Sequence, residues 1–354
     1  MKNPKNTKNK VKALFITYGD FGHSSSRIRA LQYFSLFESE MNFQINWIPR
    51  ARKLHHSSFL YKIAIFPIIK RIQTLQRYFQ ITFCTYDIVY VQKFFLETSL
   101  VKKLKKKKTH LVYDFDDAIY IGNGATNNKY KADRMIQNAD LVIVSSPVLE
   151  EYCLSLNRSI NVIVAYTPTE TERFPETKTI SDQPVKIVWT GSQHTTPYLQ
   201  NIRNALIKLG QLRKFSFTTI GADHATFANV NHQNIPWSEQ NETNALKLAD
   251  IGIMPLPDDD FAKGKGGYKL YLYMAAGLPI VASPVGINSQ IIQHGENGFL
   301  AQSEEEWIKY LCILIDDQEL RKTMGQKGRK LAEEKYDRKV IFEIIKNAVQ
   351  KILE

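Results

Sequence analysis

Short β-branched and aromatic runs alternate along this chain with longer segments that carry apolar residues at helical spacing, and that alternation limits the fold more than any other feature. The first six runs are "KALFITY" (12–18), "FQINWI" (43–48), "DIVYVQ" (87–92), "HLVYDF" (110–115), "DLVIVSS" (140–146) and "NVIVAY" (161–166). Between them lie stretches such as "SRIRALQYFSLFES" (26–39), which has one apolar helical face. "SSPVLEEY" (145–152) starts a helix: Ser146 can cap it, Pro147 suits its first position, and two glutamates follow near the positive end of the dipole. Strands alternating with helices in this way predict a parallel sheet covered by helices.

A polar stretch with three prolines, "TPTETERFPETKTISDQP" (167–184), then interrupts the pattern and reads as a linker. After it the alternation restarts. "KIVWTG" (186–191), "FSFTTIG" (215–221), "ADIGIMPL" (249–256) and "PIVAS" (279–283) are strand runs, and a helix is expected over about 268–276. The chain of 354 residues is long enough for two ordinary cores. We therefore expect an α/β protein of two domains of one class, 1–166 and 186–335, joined by residues 167–185. Two such domains in series bind ligand in the cleft between them, and ligand lies beyond the carboxyl ends of the strands. The chemistry belongs in loops that follow strands.

Three such loops carry informative residues. In "KGKGGYKLYLYMAAGLP" (263–279), Lys263, Lys265 and the glycines 264, 266 and 267 precede the expected helix. Glycines let a ligand approach backbone N–H groups, a helix N-terminus carries partial positive charge, and lysines add full charges, which suits a diphosphate. A solvated loop is the alternative, and the pattern lacks the Gly-Lys-Ser/Thr ending of a P-loop. "YDFDDAIY" (113–120) places Asp114, Asp116 and Asp117 at a strand end. Such a cluster can bind a metal, position a hydroxyl or stabilise a cationic transition state; capping of the next helix is the alternative for one Asp of the three. "YGDFGHSSSRIR" (18–29) offers Gly19, Gly22 and Ser24 to Ser26 as a second phosphate or sugar contact, or as a capped helix start. His23 and His194 lie in loops of this kind but are isolated. Trp189 and Trp237 fit core positions, with ligand contact the alternative for Trp237.

Charge is divided unevenly. Residues 1–110 hold 21 Lys and Arg against 5 Asp and Glu, a balance of +16, whereas the remainder holds 26 against 30. The two halves should therefore meet different partners. The basic half concentrates its charge in "KKLKKKK" (102–108) and mixes it with apolar residues in "HHSSFLYKIAIFPIIKRIQTLQRYFQ" (55–80), a composition suited to an anionic membrane surface. Pro67 should break the second segment into two pieces. No nucleic-acid motif accompanies the charge, so no nucleic-acid partner is expected. Cys84, Cys153 and Cys312 are far apart and read as thiols in a reducing compartment. With no secretory signal or spanning run in view, we expect a cytoplasmic protein peripheral to the inner face of the membrane.

"KLYLYMAAGLPIVASPVGINSQIIQHGENGFLA", with "ADIGIMPLPDD" before it, "PTETERF" and "YDFDDAIY", resembles the retaining family 4, or group 1, glycosyltransferases. The fit is best to the bacterial branch working on surface polysaccharides, and it covers about residues 12–335. The resemblance implies a GT-B fold: two Rossmann-like domains facing a central cleft, with a last helix, 336–354, crossing back to the first. It implies a nucleotide-sugar donor as substrate, a carbohydrate or lipid-linked acceptor, retention of configuration, no metal and no cofactor. Donor-binding residues would be Gly22, Gly191, Ser192, Trp237, Lys265, Gly266, Gly267 and Lys269, with Asp116 and Asp117 catalytic. The chain departs from the family where two glutamates usually stand eight residues apart. Gly264 and Leu272 occupy those positions, and Leu cannot accept a hydrogen bond from a ribose. A non-catalytic GT-B protein that binds a glycan or serves an assembly complex is the competing reading.

Overall fold

The computed structural model describes residues 10–50, 61–121, 128–175, 184–222 and 227–354. It divides into two compact units, Met1–Ala165 with Phe342–Glu354, and Tyr166–Ile341.

The first unit is a six-stranded parallel sheet of β1 (Val11–Thr17), β2 (Phe43–Pro49), β3 (Ile88–Gln92), β4 (His110–Phe115), β5 (Leu141–Val144) and β6 (Val162–Val164), in the order β2-β1-β3-β4-β5-β6. Its helices are α1 (Ser24–Arg29), α2 (Phe34–Met41), α3 (Phe66–Phe83), α4 (Thr98–Lys106), α5 (Asn128–Asn138) and α6 (Pro147–Leu156). The central strands are buried on both faces, as Val89, Tyr90 and Val91 of β3 show, which is why they read as continuous apolar runs. Ser146 caps α6 by accepting from the Leu149 N–H, with Pro147 at the first position. The segment expected as one helix over 26–39 is broken at Ala30, whose φ is −132°. Pro67 does not split its segment. A π-helical turn, Tyr61–Ile65, runs directly into α3, and Pro67 sits in the first turn of α3, where a missing N–H costs least.

The second unit is built the same way. Its sheet comprises β7 (Val185–Thr190), β8 (Phe215–Ile220), β9 (Asn231–Ile235), β10 (Ile251–Met254), β11 (Ile280–Ala282) and β12 (Gly298–Leu300), all parallel, in the order β12-β11-β10-β7-β8-β9. Its helices are α7 (Arg203–Leu212), α8 (Glu239–Leu248), α9 (Asp260–Lys263), α10 (Tyr268–Ala275), α11 (Asn288–Ile291), α12 (Glu304–Asp316) and α13 (Gln318–Leu331). The start of the expected linker is packed structure: Tyr166 meets the rings of Tyr271 and Tyr336, and Thr169 pairs with Asp337. The last helix, α14 (Arg338–Leu353), leaves this unit at Ile341, and its remainder packs in the first, where Phe342 stacks on Tyr33.

Both strand orders contain a point where the chain reverses its direction across the sheet. It lies between β1 and β3 in the first unit and between β7 and β10 in the second. Loops at the carboxyl ends of those strands form the crevice in which open α/β sheets hold ligands.

Candidate functional site

In the second unit one indole meets both the turn after β7 and the helix that follows the lysine–glycine loop. β7 ends at Thr190 and the chain turns at Gly191, where a Cβ would lie 2.3 Å from the ring of Trp189. Only glycine fits. On the same indole, the Lys269 ammonium lies 5.0 Å from the ring centroid, a cation–π contact. Ser192 continues the turn. Its N–H donates to the Thr195 hydroxyl at 3.0 Å and its carbonyl accepts from the N–H groups of Thr195 and Thr196, so the Ser192 backbone is engaged locally.

The lysine–glycine loop follows β10 and α9. Gly266 and Gly267 are buried, and Lys265 and Lys269 are half-buried. Gly267 opens α10 with φ +71°, and a Cβ there would lie 2.9 Å from the Ile287 side chain, so both backbone and space demand glycine. Gly286, at φ +55°, presses on the loop from below: a Cβ would lie 2.5 Å from the Lys263 carbonyl. The Lys265 ammonium lies 4.7 Å from the centroid of the Phe261 ring and 5.6 Å from that of Tyr198. The loop is therefore a shaped turn ahead of a helix N-terminus, with two cations held over aromatic faces. Leu272 is in the core at 1% exposure and Gly264 is buried, so neither position supplies a hydrogen-bond acceptor side chain.

Trp237, after β9, is 38% exposed and donates through Nε1 to Glu242 Oε1 at 3.3 Å. The same oxygen accepts from the Thr190 hydroxyl at 2.5 Å. Glu242 is buried in the first turns of α8 and ties the end of β7 to Trp237. Sequence reasoning missed it, since an acidic residue four positions after the capping Ser238 looks like ordinary dipole compensation.

The first unit has its own cluster at the ends of β1, β3, β4 and β5. Asp114 is fully buried and paired: Arg29 grips it with two bonds of 3.0 and 2.8 Å, and the Tyr90 hydroxyl donates to it at 2.9 Å. Of the three clustered aspartates, this one is structural. Asp116 and Asp117 instead share Lys93, whose ammonium lies 2.9 Å from Asp116 Oδ1 and bonds Asp117 Oδ2. Burial alone would raise the Asp116 carboxyl, but the Lys93 ammonium and the Arg29 guanidinium outweigh it, with help from the Ser25 hydroxyl, and hold it at about 2. Burial alone would likewise lower Lys93, yet the two carboxylates push its ammonium well above the usual range. Lys93 has φ 51°, a left-handed conformation unusual for a side-chain-bearing residue, directly at the β1/β3 reversal. Nothing in "VYVQKFF" marks it beforehand. Gly22 lies in an exposed turn before α1, where its N–H donates to Asp20 Oδ1 at 3.0 Å. His23 is the cap of α1, its Nδ1 accepting from the Ser26 N–H at 3.3 Å. Among the described residues, no group of three or more His, Cys, Asp and Glu is arranged to hold a metal.

Residues 224–331 match the family model described as glycosyl transferases group 1. An uncharacterized glycosyltransferase of Haemophilus influenzae is 44% identical over 75 residues, a stretch spanning 20% of this chain and 21% of that protein. The chain spans about a fifth to a quarter of the length of the curated relatives it matches. Among solved structures, sucrose-phosphate synthase from Thermosynechococcus elongatus superposes with a TM-score of 0.69 at 13% identity, covering 97% of this chain and 99% of that one. Anabaena HepE in complex with UDP and glucose superposes with a TM-score of 0.66 at 15% identity, covering 96% and 99%. The chain thus has the GT-B fold, and its second unit carries the group 1 glycosyltransferase pattern.

Proposed function

We propose that the protein transfers a sugar from a nucleotide-sugar donor to a carbohydrate or lipid-linked acceptor, at the inner face of the membrane, in surface polysaccharide synthesis. The observation that carries this reading is the Trp189 indole, which gathers the Gly191 turn and Lys269 at the N-terminus of α10. Backbone N–H groups, partial helix charge and two lysines at one strand reversal make a receptor for a diphosphate. That HepE binds UDP and glucose in the same fold supports the choice of ligand.

The chemistry follows from charge. As the sugar–phosphate bond breaks, negative charge grows on the leaving diphosphate, and Lys265 and Lys269 offset it without reorganising. The sugar becomes oxocarbenium-like. Asp116, held at about 2, stays ionised at neutral pH and is a poor proton acceptor, so its role is to stabilise positive charge. Asp117, the more exposed of the pair, binds an acceptor hydroxyl. Transfer is retaining and needs no metal or cofactor, with the diphosphate itself helping to deprotonate the acceptor.

One observation favours the non-catalytic alternative: the buried Leu272 leaves the nucleotide without the acceptor side chain usual in the family. A panel of nucleotide sugars separates the readings. A donor at 100 times its Kd should raise stability by about 2.7 kcal/mol, and the same donor should release nucleotide when an acceptor glycan is added. Stabilisation without release favours a binding protein. The absence of both responses with every nucleotide sugar overturns the proposal.

A further inference from the structure

Helix α3 exposes an apolar ridge that nothing in the first unit covers among the described residues. Ile65, Ile68, Ile72, Leu75, Phe79 and Phe83 recur at steps of three or four, which puts them on one face. All six are exposed, Ile72 at 57% and Leu75 at 62%. The opposite face holds the helix to its own unit through buried Arg77 and Ile81. The ridge runs about 27 Å at 1.5 Å per residue, longer and more continuous than the scattered apolar residues of an ordinary surface.

The charge around the ridge has one sign. No Asp or Glu occurs between Glu40 and Asp87. Arg71 is exposed beside the ridge, and α4 packs alongside, with the Lys103 ammonium 4.7 Å from the ring centroid of Tyr78 on α3. Lys102 and Lys106 stand on the same helix. The three-four spacing would also suit a seam with a second copy, but paired ridges would bring the Arg71 side chains together with no acid on α3 to meet them. An anionic lipid surface satisfies both components at once: the ridge enters the acyl boundary and the cations meet the headgroups. No described helix is long and apolar enough to cross a membrane, so α3 would lie in the interface plane.

We propose that the outer face of α3, with the lysines of α4 beside it, docks in plane on an anionic lipid bilayer. The inference rests on the membrane-side transferase reading only for the acceptor that such docking serves, not for the contact itself.

The test uses the full chain and vesicles of phosphatidylcholine with or without phosphatidylglycerol, with no nucleotide or acceptor present. Binding should require phosphatidylglycerol and weaken as salt rises. Ile72→Gln with Leu75→Gln should weaken it at least about tenfold, since two apolar side chains are lost from the acyl boundary. Lys102→Gln, Lys103→Gln and Lys106→Gln together should weaken it about tenfold or more. Melting temperature and nucleotide-sugar affinity should be unchanged in both variants. Vesicle binding without nucleotide binding would sink the transferase reading and leave this one standing. No binding at low salt, or equal binding to neutral vesicles, would overturn the docking. A solution dimer that Leu75→Gln dissolves would also overturn it, assigning the ridge to a second copy.

Discussion

Lys93 holds Asp116 and Asp117 together: its ammonium lies 2.9 Å from one carboxylate and bonds the other, linking the end of β3 to the loop after β4. The three side chains carry a net single negative charge in a largely buried place. A left-handed backbone at Lys93, which costs roughly 1–3 kcal/mol for a residue with a side chain, is kept by that arrangement. Replacing Lys93 with Met keeps the length and removes the charge, leaving the carboxylates unpaired. Urea denaturation should show a loss of about 3 kcal/mol or more, with Lys93→Arg recovering part of it. A double-mutant cycle of Lys93→Met with Asp116→Asn should be non-additive by at least ~1 kcal/mol; additive losses would dissolve the pairing.

Acid should undo the same contact. The Asp116 carboxyl is depressed to about 2 in the fold, below the ~3.9 of an unfolded chain. As pH falls the unfolded chain takes the proton first, so the contribution is fully present above about pH 4 and is lost between pH 4 and 2. It is of the order of 2 kcal/mol. Unfolding midpoints measured down that range should fall more steeply for the wild type than for Asp116→Asn, and parallel curves would rule out the depressed carboxyl.

Asp117 separates activity from stability. It is twice as exposed as Asp116, at 28% against 14%. Asp117→Asn should leave the melting temperature nearly in place and reduce the transfer rate at least about tenfold, the cost of one charge-assisted bond. A variant that melts earlier yet transfers normally would make Asp117 structural.

The lysine–glycine loop makes two distinguishable predictions. Lys269→Ala should keep the fold and weaken nucleotide-sugar binding at least about tenfold, measured by calorimetry. Gly267→Ala should do both kinds of damage. The new Cβ meets Ile287 and the positive φ is strained, so stability should fall by roughly 1–3 kcal/mol along with donor affinity. Unchanged affinity in a folded Lys269→Ala protein would remove that lysine from the site.

Most of the sheet architecture was legible, ten of the twelve strands, because central parallel strands are apolar runs and the edge strand β2 shows the alternation of "FQINWI". The two that escaped, β9 and β12, are the outer strands of the second sheet. Edge strands bury less, so β9 can be "NHQNI", and β12 is only three residues long. The lysine–glycine loop was legible because its chemistry is local in sequence. The aspartate cluster was not fully legible: Asp114, Asp116 and Asp117 look alike, and what separates them is a guanidinium 85 residues away and an ammonium 24 away from Asp117. Glu242 escaped for the same reason, its burial being set by Thr190, 52 positions earlier.

The first unit is completed by residues made after the whole second unit. Phe342 of α14 stacks on Tyr33 and meets Phe37 edge-on, both near the beginning of the chain. On the ribosome that aromatic face stays open to water until the whole second unit has been synthesised, although domains made first usually close first. A nascent chain halted before α14 would therefore present Tyr33 and Phe37 as a sticky surface, with α14 as the latch that closes over it.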